Sequence, residues 1–265
     1  MEYDDAYANG PYIPNAADFP DKWADQAKEF RELEAACGRA LLNQPYGDGQ
    51  AYDYFTPSAR PTGTMVFVHG GYWKAFDRKS WSHFATGAMD RDWAVAMVGY
   101  PLAPAVRIAD ITRAVRAAVV QIACATHGPI TLVGHSAGGH LVARLVMPDM
   151  ALPADIAVRL AHVMCISPVG DLRDLQHTQM NAVLHITADE ARGESPTLGV
   201  KHLPTPMTVW VGADERPKFL QQARDLAHAW DVPLVIQPDR HHFDVLDDLQ
   251  QAHSPMVAHL TGGQP

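Results

Sequence analysis

The sequence predicts an α/β protein: a mostly parallel central sheet, helices on both faces, and a small cap. Three observations carry this. Short apolar runs rich in β-branched residues alternate with longer stretches of helical periodicity. Those runs are apolar throughout rather than at every second position, as strands covered on both sides require. The rhythm breaks only at the N-terminus and over residues 171–205, which are read as cap elements.

The first 20 residues carry Pro11, Pro14 and Pro20 and read as an extended arm. Asp21 to Cys37 places Trp23, Ala27, Phe30 and Leu33/Glu34 at helical spacing. Tyr46 to Gly49 reads as a turn, and Tyr52 to Thr56 as a strand ended by Pro57. Thr64–Val68 and Ala94–Val98 are strand runs. Ile108, Ile111, Val115, Val119 and Ile122 then recur at steps of three and four, with Asp110, Arg113 and Arg116 between them. That is one apolar helical face laid on a sheet. Ile130–Val133 is a strand, followed by a helix from Ala137 to about Met147. Val163–Ile166, Met207–Val211 and Leu234–Ile236 are further strands, with a helix marked by Phe219, Ala223, Leu226 and Trp230 before the last. No linker divides the 265 residues, so one domain is expected, with residues 1–45 and 171–205 as its cap elements.

Composition narrows the function. The chain has 21 Lys and Arg against 30 Asp and Glu, a net charge of −9. With no basic block, a nucleic-acid partner is not expected. The longest apolar candidate, Ala94 to Val106, contains Gly99, Pro101 and Pro104, so no membrane span is expected. The Met1-Glu2-Tyr3-Asp4-Asp5 start lacks a basic and an apolar region, and Cys37, Cys124 and Cys165 form no close pair. Both read as a cytoplasmic protein with reduced thiols. The 14 histidines show no metal-ligand spacing, so no metal or cofactor is expected. The expected partner is a small-molecule substrate, with a homodimer left open.

Gly134-His135-Ser136-Ala137-Gly138 has the form G-x-S-x-G between an apolar strand and an apolar helix. A serine on such a turn is held in strained backbone angles with its hydroxyl above the sheet, as a nucleophile needs. The following helix N-terminus offers the Ala137 N–H to an oxyanion. His69-Gly70-Gly71-Tyr72-Trp73 closes another strand, and its paired glycines let the Gly71 and Tyr72 N–H groups turn toward a carbonyl. His69 reads as pinning that loop, while Tyr72, Trp73 and His135 are candidate pocket residues. The nucleophile needs a base and an acid, which follow in the order Ser, Asp/Glu, His. Asp214 fits the acid, with its neighbour Glu215 as the alternative; Asp171 is a further pocket candidate. The base lies at His241 or His242, which the physics of the sequence does not separate.

Together these motifs resemble an α/β-hydrolase of the kynurenine formamidase (arylformamidase) type, within the wider esterase and lipase family. The similarity runs from about residue 45 to 250. It includes Pro45-Tyr46-Gly47-Asp48-Gly49, the His69–Trp73 loop, Tyr100–Pro104, Gly134–Leu141, Ser167–Leu172, Glu194–Pro196 and His242-Phe243-Asp244. The resemblance implies Ser136 as nucleophile, Asp214 as acid and His242, rather than His241, as base. It implies cleavage of an N-formyl aryl amide, with carboxylester cleavage as the alternative and a non-catalytic binding protein as a third reading. The segment Val211 to Pro217 departs from the family's shorter turn by an additional Glu215 and Arg216.

Overall fold

The computed structural model describes residues 2–47 and 49–262; Asp48 of the Y-G-D-G motif lies outside the described residues. The eight strands are β1 Ala40–Gly47, β2 Gln50–Phe55, β3 Thr64–Val68, β4 Ala94–Val98, β5 Ile130–His135, β6 Leu160–Ile166, β7 Met207–Gly212 and β8 Leu234–Gln237. They form one sheet in the order β1-β2-β4-β3-β5-β6-β7-β8. β2 runs antiparallel to β1 and β4, and every pairing from β4 through β8 is parallel. The helices are α1 Glu2–Ala6, α2 Phe19–Ala36, α3 Thr86–Met89, α4 Ile108–Ala125, α5 Ala137–Arg144, α6 Ala154–Ala157, α7 Asn181–Leu184, α8 Ala188–Gly193, α9 Pro217–Trp230 and α10 Pro255–Thr261.

Period-two alternation divides the core into two layers. Val66 and Val68 of β3 pack with Val115 of α4, Leu141 of α5 and Phe219 of α9. Met65 and Phe67 turn to the other face, among Trp23 of α2, Trp81, Phe84 and Met256 of α10. Both faces are therefore covered, which is why β3, β4 and β5 read as unbroken apolar runs. Their predicted positions match, β3 and β4 to the residue.

Two departures have local causes. The arm is not extended: it folds into α1 and two 3-10 turns, Gly10–Tyr12 and Ala16–Asp18, before α2. The edge strand β1, unassigned from the sequence, alternates half-buried and exposed residues and contains Asn43, Gln44 and Pro45, so it lacks an apolar run. Among the described residues, no helix is long and apolar enough to cross a membrane.

The sheet positions the site. Chain order reverses at β3, whose parallel neighbours are β4 on one side and β5 on the other. A crevice opens beyond the carboxyl ends of parallel strands at such a reversal. The segments following β3 and β5 are the His69 loop and Ser136.

Candidate active site

Ser136 follows β5 and precedes α5 with φ 56° and ψ −115°, the strained geometry the sequence predicts. Its own N–H is held by the Ile166 carbonyl at 2.8 Å. The flanking glycine is compulsory. A Cβ on Gly138 would stand 1.9 Å from the Val68 carbonyl oxygen, so α5 could not approach β3 with any larger residue. Ser136 is buried but lines a cavity of about 430 Å³ together with His135, His242, Gly71 and Tyr72.

The loop after β3 is bent through three consecutive positive φ angles: Gly71 at 110°, Tyr72 at 49° and Trp73 at 56°. Such angles cost energy in non-glycine residues and persist only when surroundings enforce them. Three ties do so. Tyr72 Oη donates to the Tyr7 carbonyl at 2.7 Å, Trp73 Nε1 donates to His140 Nδ1 at 3.3 Å, and Ala103 N donates to the Trp73 carbonyl at 2.9 Å. His69 pins the entry to the loop, as expected. Its Nδ1 donates to the Gly70 carbonyl at 2.7 Å, its carbonyl accepts from Tyr100 Oη at 2.8 Å, and the two rings stack at 4.2 Å. Burial holds the His69 pKa down to about 4, so the ring is neutral. Among the described residues, no group accepts a hydrogen bond from the N–H of Gly71, Tyr72 or Ala137. These are the three donors the sequence nominates.

The carboxylate beside His242 is not the expected one. Asp214 is exposed, and its backbone N–H is taken by the Arg240 carbonyl at 2.9 Å, which turns its side chain away from the site. Glu215, one residue on, is buried, and its Oε2 accepts from His242 Nδ1 at 2.6 Å. Its Oε1 accepts from Gly212 N at 2.9 Å and from the Ser167 hydroxyl. The carboxylate is thus fully engaged at the end of β7. The Glu215 alternative, and not Asp214, meets His242.

His242 is the buried histidine of the pair. His241 is tied into its own turn: its N–H donates to Asp244 Oδ1 at 2.7 Å, and its ring packs on Phe19 at 5.5 Å. His135, the residue before the serine, donates from Nε2 to the His242 carbonyl at 3.0 Å, and the two rings lie 4.7 Å apart. Burial and the neighbouring His242 hold the His135 pKa well below the usual histidine range.

Two pocket candidates are displaced. Trp73 is fully buried in the core against His140, because its positive φ turns it beneath the loop. Asp171 binds Arg173 rather than lining the cavity. The walls that sequence reasoning missed are Trp23, Phe76, Trp81 and Phe243, with Gln179 and Met180 from the 171–205 segment. Residues 7–11 of the arm complete them. Apart from Phe243 of the His242-Phe243-Asp244 motif, these residues belong to no motif; only the aromatic content of the arm and of residues 72–84 hinted at them.

Comparison with known proteins agrees with this fold. Residues 65–215 match a family model described as the α/β-hydrolase fold. Kynurenine formamidase of Salmo salar is 26% identical over 241 residues, 84% of this chain and 81% of that protein. Kynurenine formamidase of Drosophila melanogaster is 26% identical over 243 residues, 82% and 79% of the two chains. A crystal structure from Silicibacter sp., provisionally named a thioesterase, superposes with a TM-score of 0.95 at 49% identity, covering 98% and 99% of the two chains. Esterase B of Lactobacillus rhamnosis superposes at 0.68 with 18% identity, covering 92% and 91%, a likeness of fold. The chain belongs to the α/β-hydrolase fold family, as a serine-type hydrolase.

Proposed function

We propose that the protein cleaves an N-formyl aryl amide such as N-formylkynurenine, using Ser136 as nucleophile, His242 as base and Glu215 as the orienting acid. The observation that carries this reading is the 2.6 Å Glu215–His242 hydrogen bond at the cavity that Ser136 lines. Because Nδ1 of His242 donates to a carboxylate, Nε2 is left with its lone pair to receive the serine proton. Ser136 Oγ then attacks the formyl carbonyl, and the oxyanion is held by the N–H groups of Gly71, Tyr72 and Ala137. His242 returns the proton to the leaving aromatic amine, leaving a formyl ester on Ser136. Water, deprotonated by His242, releases formate.

The aromatic walls support an aryl leaving group. The similarity to two formamidases over more than four-fifths of the chain supports the formyl group. The arm and residues 171–205 act as the cap of a single hydrolase domain, working in the cytoplasm without a metal or cofactor. A second reading, hydrolysis of small acyl or aryl esters by the same residues, is favoured by the thioesterase name of the 49% identical structure.

Initial rates on N-formylkynurenine, p-nitrophenyl acetate and p-nitrophenyl butyrate, with Ser136→Ala as control, separate the two. A kcat/KM for the formamide well above those for the esters, abolished in the variant, supports the formamidase. Ester turnover without formamide cleavage moves the function to the second reading.

A further inference from the structure

Asn9 occupies an unusual place in the arm. It precedes the 3-10 turn Gly10–Tyr12, and its carbonyl accepts the Tyr12 N–H at 3.0 Å. An asparagine there ordinarily caps the turn with its side chain. This one makes no cap bond. Its side chain is buried, at 7% exposure, and Asn9 lines the cavity that also holds Ser136 and His242. Among the described residues, its Oδ1 has no hydrogen-bond partner. A buried acceptor in that condition is costly unless something that enters the cavity satisfies it.

The position of Asn9 is fixed from two residues away. The Tyr7 carbonyl accepts from Tyr72, and the Tyr7 hydroxyl accepts from Gln222 Nε2 at 2.8 Å. Asp5 pairs with Arg216 at 2.6 Å. His135, which also lines the cavity, carries a second unpartnered acceptor, set beside Gly70. His135 donates from Nε2 to the His242 carbonyl, so its neutral ring carries a lone pair on Nδ1, which has no partner among the described residues. A pocket with aromatic walls and a buried acceptor favours an aromatic molecule that brings its own donor, and it discriminates strongly against an analogue lacking one.

We infer that Asn9 is a specificity-determining residue whose side-chain carbonyl accepts a hydrogen bond from an N–H or O–H donor on an aromatic leaving group. The inference rests on the hydrolytic reading of Ser136 but not on the acyl group being formyl.

The test uses matched pairs that differ by one donor: 3-hydroxyformanilide against 3-methoxyformanilide, and 3-hydroxyphenyl acetate against 3-methoxyphenyl acetate. Dissociation constants of the formanilides are taken calorimetrically on Ser136→Ala, so that no turnover is needed, and kcat/KM of both pairs on the active chain. The hydroxyl compound is expected to be preferred by about tenfold, the worth of one buried hydrogen bond. Asn9→Leu should bring that ratio to about one, and Asn9→Asp, which retains an acceptor, should keep it. If Asn9→Leu fails to melt cooperatively, Asn9→Ala takes its place. No preference in the parent, or a preference that survives Asn9→Leu, overturns the inference. Cleavage of the acetates alone, with their ratio collapsing in Asn9→Leu, sustains it while removing the formamidase reading.

Discussion

Glu215 reaches His242 with one carboxylate oxygen while its other oxygen is held by the Gly212 N–H and the Ser167 hydroxyl. In the proposed triad the acid is therefore aimed before any substrate arrives. Glu215→Gln keeps the size but presents an amide to Nδ1, which favours the wrong histidine tautomer. A fall in kcat on the order of 10⁴-fold is expected, as for other triads that lose the orienting carboxylate. Asp214→Asn, at an exposed side chain, should stay within about twofold of the parent. Steady-state kinetics on the best substrate check both.

Tyr72 joins the arm to the loop after β3. Tyr72→Phe keeps the backbone N–H but strands the Tyr7 carbonyl. A loss of about 1–3 kcal/mol of stability is expected from that unsatisfied group. Faster amide hydrogen exchange over residues 2–12, with a lower kcat/KM, is the accompanying signature.

Acid should destabilise the fold through its buried histidines. Burial lowers the pKa of His69, His83 and His140 to about 4. In the unfolded chain they titrate near the ordinary value of about 6.5. Between those values the unfolded state binds more protons, so stability falls as pH drops from about 6.5 to 4 and levels off above 6.5. Denaturant midpoints at pH 7.5, 6 and 5 should show the decline. His140→Gln should flatten it, since one titrating group is removed.

Arg144 is buried at 1% exposure and binds Glu194 at 3.1 Å and Asp149 at 2.5 Å. Glu194 is also buried, and its carbonyl accepts from His140 Nε2 at 2.6 Å. Arg144→Met leaves the Glu194 carboxylate without its cation. A loss of about 3–5 kcal/mol is expected, the usual cost of breaking a buried pair from one side. Urea unfolding measures it.

The legible parts of the molecule are those where one local signal decides. β3 and β4 are apolar on both faces, and the elbow requires small residues by contact, so both could be read directly. The choice between Asp214 and Glu215 depends on the phase of a turn. That phase is set by the Asp214 N–H meeting Arg240, a residue 26 positions away that no local pattern reveals. Trp73 misled for a similar reason: its neighbour faces the cavity, but its own backbone angle sends the indole into the core. The arm could be assigned to a cap, yet its individual contacts could not, because tertiary packing alone decides which of its residues look inward.

The backbone of Ser136, at φ 56° and ψ −115°, sets activity against durability at one residue. Glycine adopts those angles without penalty, whereas a side chain there costs about 1–3 kcal/mol. Ser136→Gly should thus yield a dead protein that melts at a higher temperature than the parent. Selection for robustness alone would discard the hydroxyl. Its presence marks the position where this chain has been kept for turnover rather than for endurance.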